Sequence, residues 1–183
     1  LRHLNYTYQE GEAGIADALR LAEHFTDGQK ICVVLGDNII SGNILAAREQ
    51  FERQPGGAHI ILKDVSDPER FGCPEIRDGR IVRIEEKPRQ PRSTYAVTGI
   101  YFYDATVFDK ICRLRLSWRN EFEITDVNNM YLAEGTLTFS FLDGWWTDAG
   151  TFESLRRATN LVAEFGANKV PAALAAQAGQ GKA

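Results

Sequence analysis

The 183 residues are 44% hydrophobic and 25% charged, with a formal net charge of −4, which is ordinary for a globular domain with a sizeable core. That acidic balance, with no basic stripe interleaved with aromatics, argues against a nucleic-acid partner. No apolar run approaches the roughly 20 residues that span a bilayer. The opening Leu1-Arg2-His3-Leu4-Asn5 carries neither a signal-peptide core nor an initiating Met, which points to a fragment or a processed product.

Asn5 to Gln9 alternates as a strand end does, and Ile15, Ala18, Leu19, Ala22 and Phe25 follow helical spacing up to Asp27-Gly28. The five apolar residues Ile31 to Leu35 read as a buried parallel strand. They run into Gly36-Asp37-Asn38, where the glycine permits a sharp turn. Asp37 then projects into the crevice beyond the strand's carboxyl end, the usual ligand position in open α/β sheets. Ile44, Leu45, Arg48 and Phe51 fit an amphipathic helix that stops before Pro55-Gly56-Gly57, and Ala58 to Leu62 returns as a strand. Cys73–Arg77 and Arg80–Ile84 flank Asp78-Gly79, a hairpin signal. Thr94–Tyr103 reads as a long strand, Ala105–Leu114 and Ile124–Glu134 as helices, and Thr136–Phe141 as a half-exposed strand. Thr151 can N-cap a last helix with Phe152, Leu155, Thr159, Val162 and Phe165 along its apolar face. From Pro171 the chain is mostly Ala, Gln and Gly, so one domain is expected over 1–166 and a flexible tail over 167–183.

Cys32, Cys73 and Cys112 form no CxxC pair and no ligand spacing with His3, His24 or His59. Buried free thiols in a reducing cytosol are expected, not zinc ligands or disulfides.

Three clusters could carry chemistry. Gly11 and Gly14 precede a helix, as either a plain capped loop or a close approach to a ligand. Glu85-Glu86-Lys87-Pro88 follows a hairpin strand, as either a solvated face or a sugar-phosphate site in which Glu86 accepts from hydroxyls and Lys87 neutralises phosphate. Asp37 and Asp148 sit on separate loops, and two carboxylates suffice for Mg2+, which completes its octahedron with water and phosphate.

The segments Q-x4-G-I-A-D-A-L, V-V-L-G-D-N-I, D-P-E-R-F-G, E-E-K-P-x2-P-x-S-x-Y-A-V-T-G-I-Y-F-Y-D, E-x-E-I-T-D-V-N and W-x-D-A-G-T-F-E-S-L occur in this order from residue 9 to residue 155. They resemble the sugar-1-phosphate nucleotidyltransferases, most closely the branch that transfers thymidylyl groups to glucose 1-phosphate. The resemblance implies an α/β, Rossmann-like three-layer nucleotidyltransferase fold around a mixed, mostly parallel sheet, its first strands lying ahead of residue 1. It implies transfer from dTTP to glucose 1-phosphate with Mg2+, yielding dTDP-glucose and pyrophosphate, by a cytoplasmic homo-oligomer.

Carried over by position, the resemblance implies that Gln9 and Gly14 contact the base and that Asp37 and Asp148 hold Mg2+. Gly72, Glu86 and Val97 would line the sugar pocket, Lys87 and Arg119 would grip the phosphate, and Tyr101 and Trp146 would shape the wall. The family's G-x-G-T-R-L-x-P-x-T loop, which by the resemblance cradles the triphosphate, is absent, so the chain as given is expected to be incomplete for catalysis; Cys73-Pro74 stands where paired valines are common, and Asn120 stands where glycine is usual. The end soon after the Thr151 helix resembles the family's short type. A relative using another base or sugar (CTP, UTP or mannose 1-phosphate), or a non-catalytic sugar-nucleotide-binding fragment, are the alternatives.

Overall fold

The computed structural model describes residues 3–170. At its centre lies the longest apolar strand, β6 (Tyr95–Tyr103), buried from Ala96 onward. β1 (Ile31–Val34) and β3 (Ala58–Asp64) flank it, both antiparallel, and β7 (Leu137–Phe141) pairs parallel with β3, giving the order β1-β6-β3-β7. Three of the four strands therefore share one direction and β6 opposes them. The period-2 pleat divides the core: Val97, Tyr101 and Tyr103 join Ile60 and Leu62 on one face, while Ala96, Ile100 and Phe102 join Ile61 on the other.

Helices α1 (Ile15–Arg20), α4 (Val107–Cys112) and α5 (Ile124–Ala133) pack on the first face, and α3 (Leu45–Arg53) covers the second through Ala47 and Phe51. The result is the expected three-layer, mixed-sheet architecture. The hairpin of β4 (Gly72–Arg77) and β5 (Arg80–Glu86) turns at Asp78 and Gly79, whose φ of 49° and 73° are the successive positive values of a two-residue hairpin turn.

Several expectations are corrected. β1 is neither parallel to its partner nor buried. Among the described residues it pairs antiparallel with β6 alone, and its side chains alternate between half-buried and exposed because no second described strand covers it. Asn5–Gln9 is not a strand, and Tyr6 and Tyr8 project into solvent. The helix expected over Ile15–Phe25 divides into α1 and the single turn α2 (Glu23–Thr26). Leu21 and Ala22 donate to carbonyls three residues back, which tightens the chain out of α geometry. α4 starts late because the Asp104 carboxylate captures the Thr106 N–H at 3.0 Å. Only Cys73 is buried; Cys32 on β1 and Cys112 at the end of α4 are exposed.

In α6 (Phe152–Phe165), Thr151 and Ser154 form a capping box as the sequence suggests. The buried side, however, is Ser154 and Ala158, and the apolar stripe faces outward with Phe152 95% exposed. Periodicity locates a stripe but not what covers it. Asn168 and Lys169, assigned to the tail, donate backbone hydrogen bonds to Ile40 and Ser41, and the tail from 171 to 183 lies outside the described residues.

β3 also carries a buried histidine. His59 is fully buried, with ring nitrogens 2.7 Å from Thr138 Oγ1 and 2.9 Å from Ser140 Oγ, and burial lowers its pKa to about 4. Because the unfolded imidazole takes its proton first as pH falls, the stability this residue lends is complete above pH 6.5. It drains away towards pH 4, by at most about 3 kcal/mol. Urea unfolding at pH 7.5 and pH 4.5 should lose more stability in the wild type than in His59→Gln over that window. Equal losses would contradict a neutral buried imidazole.

Candidate active site

Two strands too short to be read from sequence build the site. β2 (Asn38–Ile40) pairs antiparallel with β8 (Trp146–Asp148), setting Asn38 opposite Asp148, and the Ala149 N–H donates to the Asp37 carbonyl at 2.8 Å. Asp37 and Asp148, far apart in the chain, become neighbours at the carboxyl end of β1. A Cβ added to Gly150 would lie 3.0 Å from Asp37 Oδ2 and 3.4 Å from Asp148 Oδ2, so both carboxylates border one small cradle that only glycine leaves open.

Asn38 ties this corner together. Its Nδ2 donates to Asp37 Oδ1 at 2.9 Å, while its Oδ1 accepts from the Gly99 N–H and the Trp146 indole, each at 2.8 Å. Asp148 is 8% exposed. Its Oδ2 accepts from Arg70 (2.9 Å), Ser154 Oγ (3.1 Å) and the Gly150 N–H (3.3 Å), whereas Oδ1 is buried without a hydrogen-bond partner. Oδ1 has the Arg157 guanidinium 3.9 Å away, so it is Oδ2, the oxygen bordering the Gly150 cradle with Asp37 Oδ2, that suits a hard cation shared by the two carboxylates. Among the described residues no group of three or more His, Cys, Asp or Glu gathers for a metal. A cation here would thus take two carboxylates and draw its remaining ligands from water and phosphate, as Mg2+ does. Gly150→Ala should therefore weaken Mn2+ binding measured by calorimetry while leaving the melting temperature within a few degrees; unchanged affinity would remove the cradle from the ion site.

The same cavity, about 570 Å³, extends from the aspartates to Glu86, Lys87 and Arg119. That is the size of a small-molecule site. Glu86 closes β5 and accepts from Thr125 Oγ1 at 2.5 Å. Burial raises its pKa, opposed by the Thr125 hydrogen bond, reinforced by Glu123, and countered by Lys87 and Arg119. A Cβ at Gly72 would fall 3.0 Å from Thr125 Oγ1 and 3.4 Å from Glu86 Oε2, so Gly72 keeps room beside that carboxylate.

Arg119 Nη2 lies 2.7 Å from Glu121, and its Nη1 lies 3.5 Å from Glu123 and 3.6 Å from Glu86. Asn120 holds φ 59°, the left-handed conformation glycine would supply, so the loop carrying Arg119 keeps its turn. Lys87 is exposed and left-handed at φ 43°, a strained setting fixed by its N–H on the Phe71 carbonyl at 3.0 Å. Val97, Tyr101 and Trp146 form the wall. Burial, with Glu86 and Asp37 nearby, pushes the Tyr101 phenol above its ordinary range.

Gln9 and Gly14 do not line this cavity. Gln9 Nε2 donates to the Gly14 carbonyl (3.2 Å) and Asp17 Oδ2 (3.0 Å), and Gly14, at φ 94°, presses against the Phe122 carbonyl, which a Cβ would meet at 2.8 Å. Their tight packing is stitched to the Phe122 loop, and α1 reaches the cavity through Ile15. Sequence reasoning assigned no role to Asn38, Arg70, Thr125 or Gly150. Two polar signals were present: an asparagine entering the apolar strand at Ile39-Ile40, and an arginine in D-P-E-R-F-G.

A family model described as nucleotidyl transferase matches residues 2–164. The chain is 41% identical over 163 residues to a glucose-1-phosphate thymidylyltransferase of Neisseria meningitidis serogroup A, which covers 87% of the chain and 57% of that relative. A crystal structure from Bacillus anthracis, assigned as a glucose-1-phosphate thymidylyltransferase and holding sucrose, superposes with TM-score 0.80 at 51% identity, over 86% of the chain and 65% of its own. A UDP-glucose pyrophosphorylase with UDP-glucose bound shares the fold, with TM-score 0.78 at 20% identity over 87% of the chain and 66% of its own. The chain spans about half the length of the curated relatives it matches. The family match runs through every element that lines the cavity, and the chain belongs to the nucleotidyl transferase family.

Proposed function

We propose that this chain forms the metal- and sugar-binding part of a glucose-1-phosphate thymidylyltransferase. The observation that carries the reading is one cavity joining the paired Asp37 and Asp148 carboxylates to the Glu86, Lys87 and Arg119 cluster. In the reaction a phosphate oxygen of glucose 1-phosphate attacks the α-phosphorus of dTTP, forming dTDP-glucose as the bond to pyrophosphate breaks. No covalent enzyme intermediate is required, so catalysis consists of positioning and charge neutralisation.

Mg2+ held by Asp37 and Asp148 supplies neutralisation of phosphate charge when bound. Lys87 places an ammonium at the sugar phosphate from a fixed backbone. Glu86 accepts from sugar hydroxyls, Gly72 and the Val97 backbone leave room for the ring, and Tyr101 and Trp146 exclude water along the wall. Arg119, tied to three carboxylates, orients Glu86; to grip the phosphate its guanidinium must exchange the Glu121 carboxylate for a phosphate oxygen. Gln9 and Gly14 serve the base through the loop they brace.

Pyrophosphate release from dTTP, glucose 1-phosphate and Mg2+, by a protein that carries this chain behind the family's G-x-G-T-R-L-x-P-x-T loop, tests the proposal; the 183 residues alone are expected to release none. A panel of four nucleotides against glucose and mannose 1-phosphates reads specificity, and a faster pair than dTTP with glucose 1-phosphate would reassign it. The second reading is sugar-nucleotide binding without turnover. Calorimetric binding of dTDP-glucose with no pyrophosphate release would select it. Cytoplasmic residence, where nucleotides and unpaired thiols such as Cys73 persist, and homo-oligomeric assembly belong to the same proposal; light scattering reads the latter. No helix among the described residues is long and apolar enough to cross a membrane.

A further inference from the structure

We propose that Arg70 is a positioning residue that caps Asp148 against divalent cations until a phosphate group draws it away. The inference rests on the reading that Asp37 and Asp148 hold the cation. Arg70 ends the 3₁₀ turn Pro68–Arg70 and lies over the Phe71 ring, 5.0 Å from its centroid. Its planar fork is shared: Nη1 donates to Asp67 Oδ2 and Nη2 to Asp148 Oδ2, both at 2.9 Å. Asp148 Oδ2 is also the oxygen that faces Asp37 Oδ2 across Gly150. The guanidinium therefore competes for an atom the cation would use.

Charge makes that competition effective. Arg157 backs the pair, 3.9 Å from Asp148 Oδ1 and 3.9 Å from Asp67 Oδ2. Two guanidiniums thus offset Asp67 and Asp148, and the Asp37 carboxylate alone remains to attract a bare divalent ion. A diphosphate brings its own negative charge and also offers oxygens that fit the arginine fork bidentately. Arg70 lines the cavity with its side chain about one-third exposed, so it has solvent-side room to turn from Asp148 to such a ligand. Cation binding and phosphate binding become mutually dependent through one side chain.

Calorimetric titration of the chain with Mn2+ alone, free of phosphate, tests this. Arg70→Met should bind Mn2+ about tenfold more tightly than wild type, the order of one close, partly screened charge. Asp67→Asn should bind more weakly, because the fork then belongs wholly to Asp148 and a negative charge is lost. A merely structural role for Arg70 would weaken binding in both variants. If Arg70→Met does not fold by circular dichroism, Arg70→Lys replaces it; its point charge cannot serve both carboxylates, and a smaller gain is expected. Unchanged or weaker Mn2+ affinity in the Arg70 variant, with binding still abolished by Asp37→Asn and Asp148→Asn, overturns the cap while sparing the ion site. Mn2+ binding indifferent to both aspartates overturns the reading beneath it.

Discussion

In a complete enzyme that carries this chain together with the family's triphosphate loop, Asp148→Asn is expected to lower turnover by at least about a hundredfold, the scale of losing a preorganised charge that acts on the reacting phosphates. The amide keeps the shape of the side chain, so the β2–β8 ribbon and the capping box of α6 persist. What changes is charge. Arg70 and Arg157 would face a neutral group, and one of the two carboxylates bordering the Gly150 cradle would be gone. The structural cost is modest by comparison. Arg70, about one-third exposed, keeps Asp67 as a partner at 2.9 Å, so no charge is left buried and unpaired by the substitution. Pyrophosphate release and urea unfolding, measured on the same preparation, separate the two effects. A variant that keeps near-wild-type turnover at saturating Mg2+ would take Asp148 out of the ion site.

Gly57→Ala should have the largest effect on stability, about 3 kcal/mol or more. Gly57 holds φ 94°, a conformation that L side chains rarely adopt, and its missing Cβ would lie 2.2 Å from the Thr136 carbonyl oxygen. That oxygen is not free to move: it accepts from the Ala58 N–H at 3.0 Å, at the point where β3 and β7 begin their parallel register with Ala58 opposite Leu137. Asp104 also accepts from the Gly57 N–H. Relief of the clash must therefore shift the start of two core strands. Gly56→Ala is the comparison: the Cβ there would meet only the Asp104 carboxylate, at 2.9 Å from Oδ2, so relief strains that side chain's hydrogen bonds to the Gly57 and Thr106 N–H groups but need not move the start of a strand. Urea midpoints should fall far more for Gly57→Ala than for Gly56→Ala; equal losses would mean the strands yield easily.

Local chemistry explains what was legible in the sequence. The Asp78-Gly79 turn could be read because two adjacent residues must tolerate positive φ, and β6 could be read because a strand with neighbours on both sides and both faces needs an unbroken apolar run. β1 misled for the complementary reason. Its residues are as apolar as those of a central strand, yet among the described residues only β6 pairs with it, and pairing is a property of its neighbours and not of its own side chains. The outward stripe of α6 fails in the same way.

At the site, the identities of Asp37 and Asp148 were accessible through the family motifs, but their adjacency was not. It depends on β2 and β8, three residues each, which are too short to display a period and pair across more than a hundred residues of chain. Asn38 and Arg70 were missed because each acts by holding an aspartate that the other motifs supply. Neither bond can be inferred before the ribbon exists.

Crystals of the protein grown with Mn2+ and dTDP-glucose, and measured for anomalous scattering at the manganese edge, test the central proposition most directly. A single anomalous peak is expected between the carboxylates of Asp37 and Asp148, beside the diphosphate. Manganese bound elsewhere, or by one aspartate with the other turned away, would contradict it.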